Sequence, residues 1–454
     1  MSTASPTPGL ARNQTFRPER EPFRYTNTLQ LDNNKISGPF SFLNPTSAHF
    51  HPAKLDKASS ASQTPSEEED EAGQSKSSHK RSGHEVPASN VAFKWTSRNN
   101  RKGRHALVYQ PPKEGEEAKY LLPPPTSSFN EIMKGLWRML TYYPIWDVSF
   151  NVAYVFTWGS IVWVINAFFD LLPYTNPSTN FPGETLDGGG ISAFIGATIF
   201  EFGSVLLMFE AVNENRSGCF GYALEQLYEE HVSHGGSAAT TRLVASKDVC
   251  THHHQNTKNF VGSPRHDSVA TASNAAGVDD IDPTPKGAKS WVWWPSWYEL
   301  RTHYFHDLGF IACSSQMFGA TVFWISGFTA LPGIYNHLNT PGLLNGAYWV
   351  PQVIGGMGFV ISGTLFMLET QKHWWLPAPK VLGWHIGAWN LIGGIGFTLS
   401  PIFGLYGPAT WAEEQAAVST FWGSWAFLIG SVIQWYESLD KHPVEQMEKE
   451  DQHQ

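Results

Sequence analysis

The sequence predicts an all-α, polytopic membrane protein with six transmembrane helices, arranged as three tandem parallel helical hairpins and joined to long disordered cytosolic segments. The first observation is six apolar stretches, each long enough to cross a hydrocarbon core of about 30 Å, which needs about 20 helical residues. These stretches are residues 148–170, 191–212, 307–330, 350–369, 384–404 and 417–437. The second observation is that small residues and glutamates recur in register within them.

The recurring pattern is a small residue, a second small residue seven positions later and a glutamate seven positions after that. It occurs in the second, fourth and sixth stretches, as Gly196, Gly203 and Glu210, then Gly355, Ser362 and Glu369, then Gly423, Gly430 and Glu437. The first, third and fifth stretches also align, with Gly159, Gly319 and Gly393 in one column and Trp163, Phe323 and Phe397 in another. The repeated unit is therefore a helical hairpin, used three times.

Changes in composition divide the chain into six regions. Residues 1–128 and 214–290 are rich in polar residues and show no sustained periodicity, so we expect a disordered cytosolic tail and a disordered cytosolic loop. Residues 129–213 hold an interfacial helix and the first hairpin. Residues 291–370 and 371–437 hold the second and third hairpins, and residues 438–454 form a cytosolic C-terminal tail.

Composition excludes several classes of function. A basic surface of the kind that binds nucleic acid is absent, whereas the net charge of -9 comes mainly from the tails and says little about partners. The three cysteines have no CxxC spacing, so no disulfide framework is predicted. Cys250 and the run 252–254 of histidines have ligand types that suit Zn or Cu, but a coincidental run in a disordered loop is the favoured interpretation. We therefore predict no metal and no cofactor.

Lysine and arginine are distributed unevenly among the connecting segments. The loops 171–190, 331–349 and 405–416 contain none, whereas the other connections and both tails carry them. By the positive-inside rule, the three loops are exoplasmic and both termini are cytosolic. No apolar segment with basic flanks opens the chain, so we expect the first transmembrane helix to direct insertion, into the plasma membrane or an endomembrane.

The repeat columns predict two structural roles. Positions seven apart lie on one stripe of a helix, and small residues on such a stripe allow close packing in lipid, although the stripe could instead line a polar pathway. The three glutamates end their helices, where the helix dipole disfavours negative charge. We expect them to be structural clasps, paired with Arg138, Arg301 or Lys380 or with backbone amides at helix starts. The alternative is a gating or ion-binding role.

Glu201 is the candidate functional residue within the membrane, because it lies near the middle of the second stretch. A lone carboxylate at that depth is costly, so intramembrane acids are candidates for function by default. The alternative is a neutral acid hydrogen-bonded to Asn151, Asn166, Gln316 or Asn390.

Three segments carry a resemblance to a known group of proteins. They are YWVPQVIGG at 348–356, ETQKHWWLP at 369–377 and GWHIGAWNLIGGIGFTLS at 383–400. They resemble uncharacterised multi-pass integral membrane proteins of filamentous fungi. The Gly-Ser pattern in 202–206 and 429–433 is similar to YrhK-like membrane hairpin domains. Neither group has an assigned activity, so neither resemblance implies a catalytic or binding residue.

The sequence leaves two classes of function open. The first is a transporter or channel for a small solute or ion, indicated by the tandem hairpins and the intramembrane acid. The alternative is a non-transporting membrane scaffold or sensor, whose disordered segments bind cytosolic regulatory proteins or kinases. An enzyme is not expected, because the chain has no HExxH, GxSxG or cofactor-binding loop. Beyond the lipid bilayer no partner is specified, and the oligomeric state stays open.

Overall fold

Helices dominate the part of the chain that this computed structural model describes. It comprises residues 29–52, 84–86, 91–104, 106–109, 120–122, 124–214, 241–242, 291–407 and 409–446. The main helices are α1 (Ser97–Lys102), α2 (Phe129–Thr141), α3 (Val148–Thr175), α4 (Gly190–Val212), α5 (Trp297–Thr302), α6 (Leu308–Thr329), α7 (Val350–Glu369), α8 (Leu382–Leu405) and α9 (Thr410–Leu439). Two one-turn helices, Pro332–Tyr335 and Pro341–Leu344, lie between α6 and α7.

Six of these helices are long and apolar enough to cross a membrane, namely α3, α4, α6, α7, α8 and α9. With the turns that lead into α4 and α7, their lengths run from 22 to 30 residues. This confirms the predicted six-helix membrane fold. The bounds differ at α9, which begins at Thr410 and not at 417. Glu413 and Glu414 lie in its first turns, so the apolar stretch begins later in the sequence than the helix does.

The six long helices form a closed ring in chain order, because each packs on the next and α9 packs back against α3. The backbones of α6 and α7 approach closely, since a Cβ added to Gly358 would lie 2.6 Å from the Cα of Gly319. Helices in lipid gain contact area in this way, since burial from water no longer drives them together.

A five-stranded sheet is built from both ends of the described chain. Its strands are β1 (Leu29–Leu31), β2 (Ser47–Pro52), β4 (Val91–Thr96), β5 (Ala106–Tyr109) and β8 (Val444–Gln446), in the order β1-β2-β4-β5-β8. All neighbours are antiparallel except β5 and β8, which run parallel. A smaller sheet joins β3 (His84–Val86), β6 (Tyr120–Leu122) and β7 (Thr241–Arg242).

The larger sheet corrects the prediction of disorder across residues 1–128. In β4, Phe93 and Trp95 are buried, and Lys94 between them pairs with Glu445 of β8 at 3.0 Å. Each strand is too short to stand out from its polar surroundings, and its stabilising partners lie far away in the sequence. Residues 84–86 and 120–122 form strands of the smaller sheet, and most of the rest of 1–128 and of 214–290 falls outside the described residues.

The helix predicted before the first hairpin is present as α2. One side packs on α9, since Gly135 lies against the ring of Tyr436 and Met139 packs with Leu439. The opposite side exposes large apolar groups, with Trp137 and Leu140 each 67% exposed. An exposed apolar side of this kind fits the membrane interface, where the sequence analysis placed the helix.

Candidate functional site

The short helix α1 lies at one end of the ring, called here the glutamate end because α4, α7 and α9 finish there at or just beyond their glutamates. Its ends are capped locally. The Thr96 side chain accepts a hydrogen bond from the Asn99 amide, and Gly103 adopts a left-handed φ of 62° that lets its amide reach the last turn. All six residues of α1 are buried although every one is polar. Buried polar side chains need hydrogen-bond or ion-pair partners within the protein.

Two glycines make room for the arginines of α1. A Cβ added to Gly309, in the first turn of α6, would overlap the guanidinium of Arg101. A Cβ on Gly383, in the first turn of α8, would lie 2.6 Å from Nε of Arg98. The corresponding residue of α3 is Ser149, whose hydroxyl donates to the Lys102 carbonyl at 3.2 Å. Helix α1 therefore packs against the first turns of α3, α6 and α8, which are the first helices of the three hairpins.

The strongest contact of α1 is between Arg101 and Glu369, the last residue of α7. The Arg101 Nη1 and Nη2 atoms donate to the two carboxylate oxygens at 2.6 and 2.8 Å. Ser97 Oγ donates to the same carboxylate at 2.7 Å. The Glu369 side chain is fully buried, and although burial opposes it, the Glu369 carboxylate raises the pKa of Arg101 well above its usual range. This is the bidentate geometry that stabilises a buried pair best.

The glutamate of α9 binds two arginines. Arg98 donates to Glu437 through Nε at 3.2 Å and Nη2 at 2.6 Å. Arg104, which follows α1, donates to the same carboxylate at 3.0 Å and also reaches Asp440 at 3.6 Å. Glu437 is 2% exposed. Its charge is therefore matched within the protein and not by solvent.

The glutamate of α4 is held differently. Lys102 Nζ lies 3.7 Å from Glu210 Oε1 and 4.0 Å from Glu437 Oε2, both too long for a direct hydrogen bond. Within the described residues, neither Lys102 Nζ nor the two Glu210 oxygens form any hydrogen bond, and both residues are 2% exposed. Burial lowers the pKa of Lys102, and the Glu210 carboxylate offsets only part of that shift.

The three glutamates thus meet cations at the position expected of clasps, but the cations are not those expected. Arg138 donates to the Leu439 carbonyl at 3.0 Å, and no ion pair joins Arg301 or Lys380 to these glutamates within the described part of the chain. The cations come from α1, inside the region predicted to be disordered. A signal was present in SRNNRKGR at 97–104, where a helix-capping Thr precedes basic residues at helical spacing and Gly follows them.

A second acid cluster adjoins α1 beside α6. Asn100 Nδ2 donates to Glu214 at 3.3 Å, and the other Glu214 oxygen lies 2.5 Å from Nε2 of His303. Asp307 caps α6 by accepting from the Phe310 amide at 2.8 Å. Burial, reinforced by the Glu214 and Glu369 carboxylates, raises the pKa of Asp307 to about 6.

Six aromatic rings fill the axis of the ring of helices and are called here the aromatic core. Each long helix contributes one ring, and those from α3, α6 and α8 contact one another at centroid distances of 4.9–5.7 Å. The rings from α4, α7 and α9 do so at 5.6–6.4 Å, and each also contacts the ring from its own hairpin partner. The six are Trp163, Phe200, Phe323, Phe359, Phe397 and Phe427.

The small residues of the repeat lie at close contacts around this core. A Cβ on Gly196 would lie 2.9 Å from the Trp163 ring, and one on Gly355 would lie 2.6 Å from the Phe323 Cβ. Gly203, Gly423 and Gly430 face Phe156, Phe397 and Trp389 at 3.0, 3.1 and 3.3 Å by the same measure. Ser362 is fully buried. Their positions fit close packing.

Glu201 lies between α4 and α6, away from the axis. Its Oε1 atom accepts a hydrogen bond from the Thr321 hydroxyl at 3.0 Å, and Oε2 is buried without a hydrogen bond in the described structure. Asn166 instead donates to the Gly189 carbonyl, Asn151 to the Ile145 carbonyl and Asn390 to the Ile386 carbonyl. The partner of Glu201 is thus none of those expected from the sequence.

A cavity of about 30 Å³ lies inside the ring, bounded by α1 on one side and by two rings of the aromatic core on the other. All six long helices contribute to its wall. The lining residues are Arg98, Arg101, Lys102, Phe156, Ser160, Phe200, Leu207, Glu210, Gln316, Phe366, Ile386, Asn390, Phe427, Ser431 and Gln434. Glu201 is not among them.

Among the described residues, no group of His, Cys, Asp and Glu side chains could hold a metal ion. Cys250 and the histidines at 252–254 lie outside those residues. Comparisons with protein-family models, with curated proteins and with solved structures find no match to this chain. Inferences about function therefore begin from the side-chain geometry.

Proposed function

We propose that the protein is a non-transporting membrane scaffold, in which a closed six-helix ring anchors a sheet made from both ends of the chain. The observation that carries this proposal is the aromatic core. Its six rings contact one another across the axis, so an ion or polar solute would meet apolar carbon there and no polar lining. Selective pores instead line their paths with carbonyl groups, charged side chains or waters.

Two further observations support a closed ring. Helix α1 covers the glutamate end, and its arginines engage two of the three buried glutamates directly. The intramembrane acid Glu201 lies outside the central cavity, so it does not border a pathway along the axis. A carboxyl hydrogen-bonded to Thr321 on the same pair of helices is sufficient to account for its place in the fold.

We further propose that the glutamate end and both termini face the cytosol, in agreement with the distribution of Lys and Arg. The sheet would then be a cytosolic platform, held to the membrane by the β5–β8 pairing and by the ion pairs of α1. The polar segments 1–28 and 215–290 would supply binding sites for cytosolic regulatory proteins or kinases. Polar segments of low hydrophobicity are a common means of recruiting partners.

Flux measurements on the purified full-length chain test the proposal. In sealed proteoliposomes, we expect the permeation of monovalent ions and of small neutral solutes to equal that of protein-free vesicles. An ionophore added last verifies that the vesicles were sealed. Solute-selective flux that scales with the amount of wild-type protein would contradict the scaffold proposal.

A gated transporter is the second candidate, and the cavity lined by all six helices, with charged residues in its wall, favours it. In that case α1 would act as a gate and would have to leave the glutamate end. Flux that begins only when Arg98, Arg101 and Lys102 are all changed to Gln, and that is absent from the Lys134→Gln control, would favour this candidate over the scaffold.

A further inference from the structure

The cavity beneath α1 contains the most unusual polar arrangement in the described structure. Lys102 Nζ and both Glu210 oxygens are buried at its wall, yet none of them forms a hydrogen bond there. Buried donors and acceptors are almost always satisfied, because an unsatisfied one keeps its full desolvation cost. Two oppositely charged groups that face one cavity without hydrogen bonds indicate that the cavity holds a bound molecule, called here the guest.

The charges of the wall restrict what the guest can be. Lys102 and Arg101 disfavour a cation, and the Glu210 carboxylate disfavours an anion. An apolar guest would leave Lys102 Nζ and the two Glu210 oxygens unsatisfied. The remaining class is a small neutral molecule that accepts a hydrogen bond from Lys102 and donates one to Glu210. The amides of Gln316 and Gln434, which line the same cavity, offer further donors and acceptors.

Size then selects the guest. One buried water needs a cavity of roughly 10–15 Å³, so a cavity of about 30 Å³ holds about two waters. Water is both donor and acceptor, and buried waters usually bond to polar groups that would otherwise be unsatisfied. The 3.7 Å gap between Lys102 Nζ and Glu210 Oε1 is also short enough for one water to bond to both atoms.

We infer that this cavity is a hydration site, in which a pair of buried waters bridges Lys102 of α1 to Glu210 of α4. The glutamate end is then held in two ways. Glu369 and Glu437 bind arginines directly, whereas Glu210 is joined to α1 through water. Helix α1 borders the cavity on one side and two rings of the aromatic core border it on the other, so these waters lie between them.

An experimental structure of the full chain in lipid nanodiscs, at a resolution that shows waters, tests the inference directly. We expect two density peaks within hydrogen-bonding distance of Lys102 Nζ or the Glu210 carboxylate. A direct contact between these two groups beside an empty cavity would overturn the inference. So would an ion in the cavity, identified by its anomalous scattering.

Infrared difference spectroscopy gives an independent test. We expect O–H stretching bands of internal water, identified by their shift in H₂¹⁸O. The paired variant Lys102→Met with Glu210→Leu should lose these bands, and Glu201→Gln, which lies away from the cavity, should keep them. Bands that persist in the paired variant and vanish in Glu201→Gln would place the water elsewhere. If the paired variant does not fold, Gln434→Leu, which leaves the ion pairs intact, should still shift the bands.

Discussion

Changing Arg101 to Met should release α1 from the glutamate end. The substitution keeps much of the side-chain volume but leaves the Glu369 carboxylate, fully buried, with Ser97 as its remaining hydrogen-bond donor among the contacts described above. Removing one partner of a buried ion pair typically costs about 3–5 kcal/mol. The pairing here is bidentate, at 2.6 and 2.8 Å, so we expect the loss to fall within that range.

The reactivity of Cys313 with a thiol reagent reports this release. Cys313 is fully buried in α6, one of the helices that α1 contacts. With Cys219 and Cys250 changed to Ser, it is the remaining thiol of the chain. If labelling follows the equilibrium opening of α1, a cost of 3–5 kcal/mol should speed it roughly 10²- to 4 × 10³-fold, because each 1.4 kcal/mol is a factor of ten.

Two comparison variants make the result interpretable. Lys134→Met removes an exposed ion pair with Glu131, which should contribute at most about 1 kcal/mol, and should leave labelling of Cys313 unchanged. Arg101→Met combined with Glu369→Leu removes both charges, so protection of Cys313 should largely return. Unchanged labelling in Arg101→Met alone would refute the assignment of Arg101 as the main contact of α1.

Three further substitutions test other contacts. Gly358→Ala should destabilise the protein by about 1–3 kcal/mol because its Cβ would meet the α6 backbone, whereas Gly342→Ala, in open space, should be neutral in thermal unfolding. Asp307→Asn should raise the unfolding temperature above pH 6. Because the pKa of Asp307 is raised from 3.8 to about 6 in the folded state, the charged carboxylate increasingly destabilises that state as pH rises through this window. The increase in unfolding temperature caused by Asn should therefore vanish near pH 4. Glu201→Gln should change stability by less than about 1 kcal/mol, since Thr321 can donate to the amide oxygen as well; a larger loss would indicate that the charge is required.

The sequence was sufficient for the six helices because each apolar stretch is a local signal. The glutamate column was also readable, since Glu210, Glu369 and Glu437 share one spacing within three helices. The partners of these glutamates were not readable. Arg98 lies 339 residues from Glu437, and no property of either local segment specifies that pairing.

The aromatic core shows the same limit at closer range. Trp163, Phe323 and Phe397 form a column in the sequence, and Phe200, Phe359 and Phe427 form a matching one, each four residues after the first small residue of its repeat. Neither column specifies which rings are in contact. The closure of the ring, with α9 against α3, is what brings the three members of each set together. Helix α1 was not predicted for a different reason: its six consecutive polar residues have no apolar stripe, and their burial depends on ion pairs and hydrogen bonds with distant residues.

The long separation between α1 and its partners also sets an order for biosynthesis. At a synthesis rate of 5–20 residues per second, roughly 15–70 s pass between the appearance of Arg98 and that of Glu437. Until then the charged residues of α1 lack their final partners, and β5 lacks its neighbouring strand β8. Docking of α1 therefore requires that all three hairpins have been inserted and closed into a ring. A chain that fails to insert its last hairpin would leave the basic segment at 98–104 exposed, where quality-control proteins can distinguish it from the finished molecule.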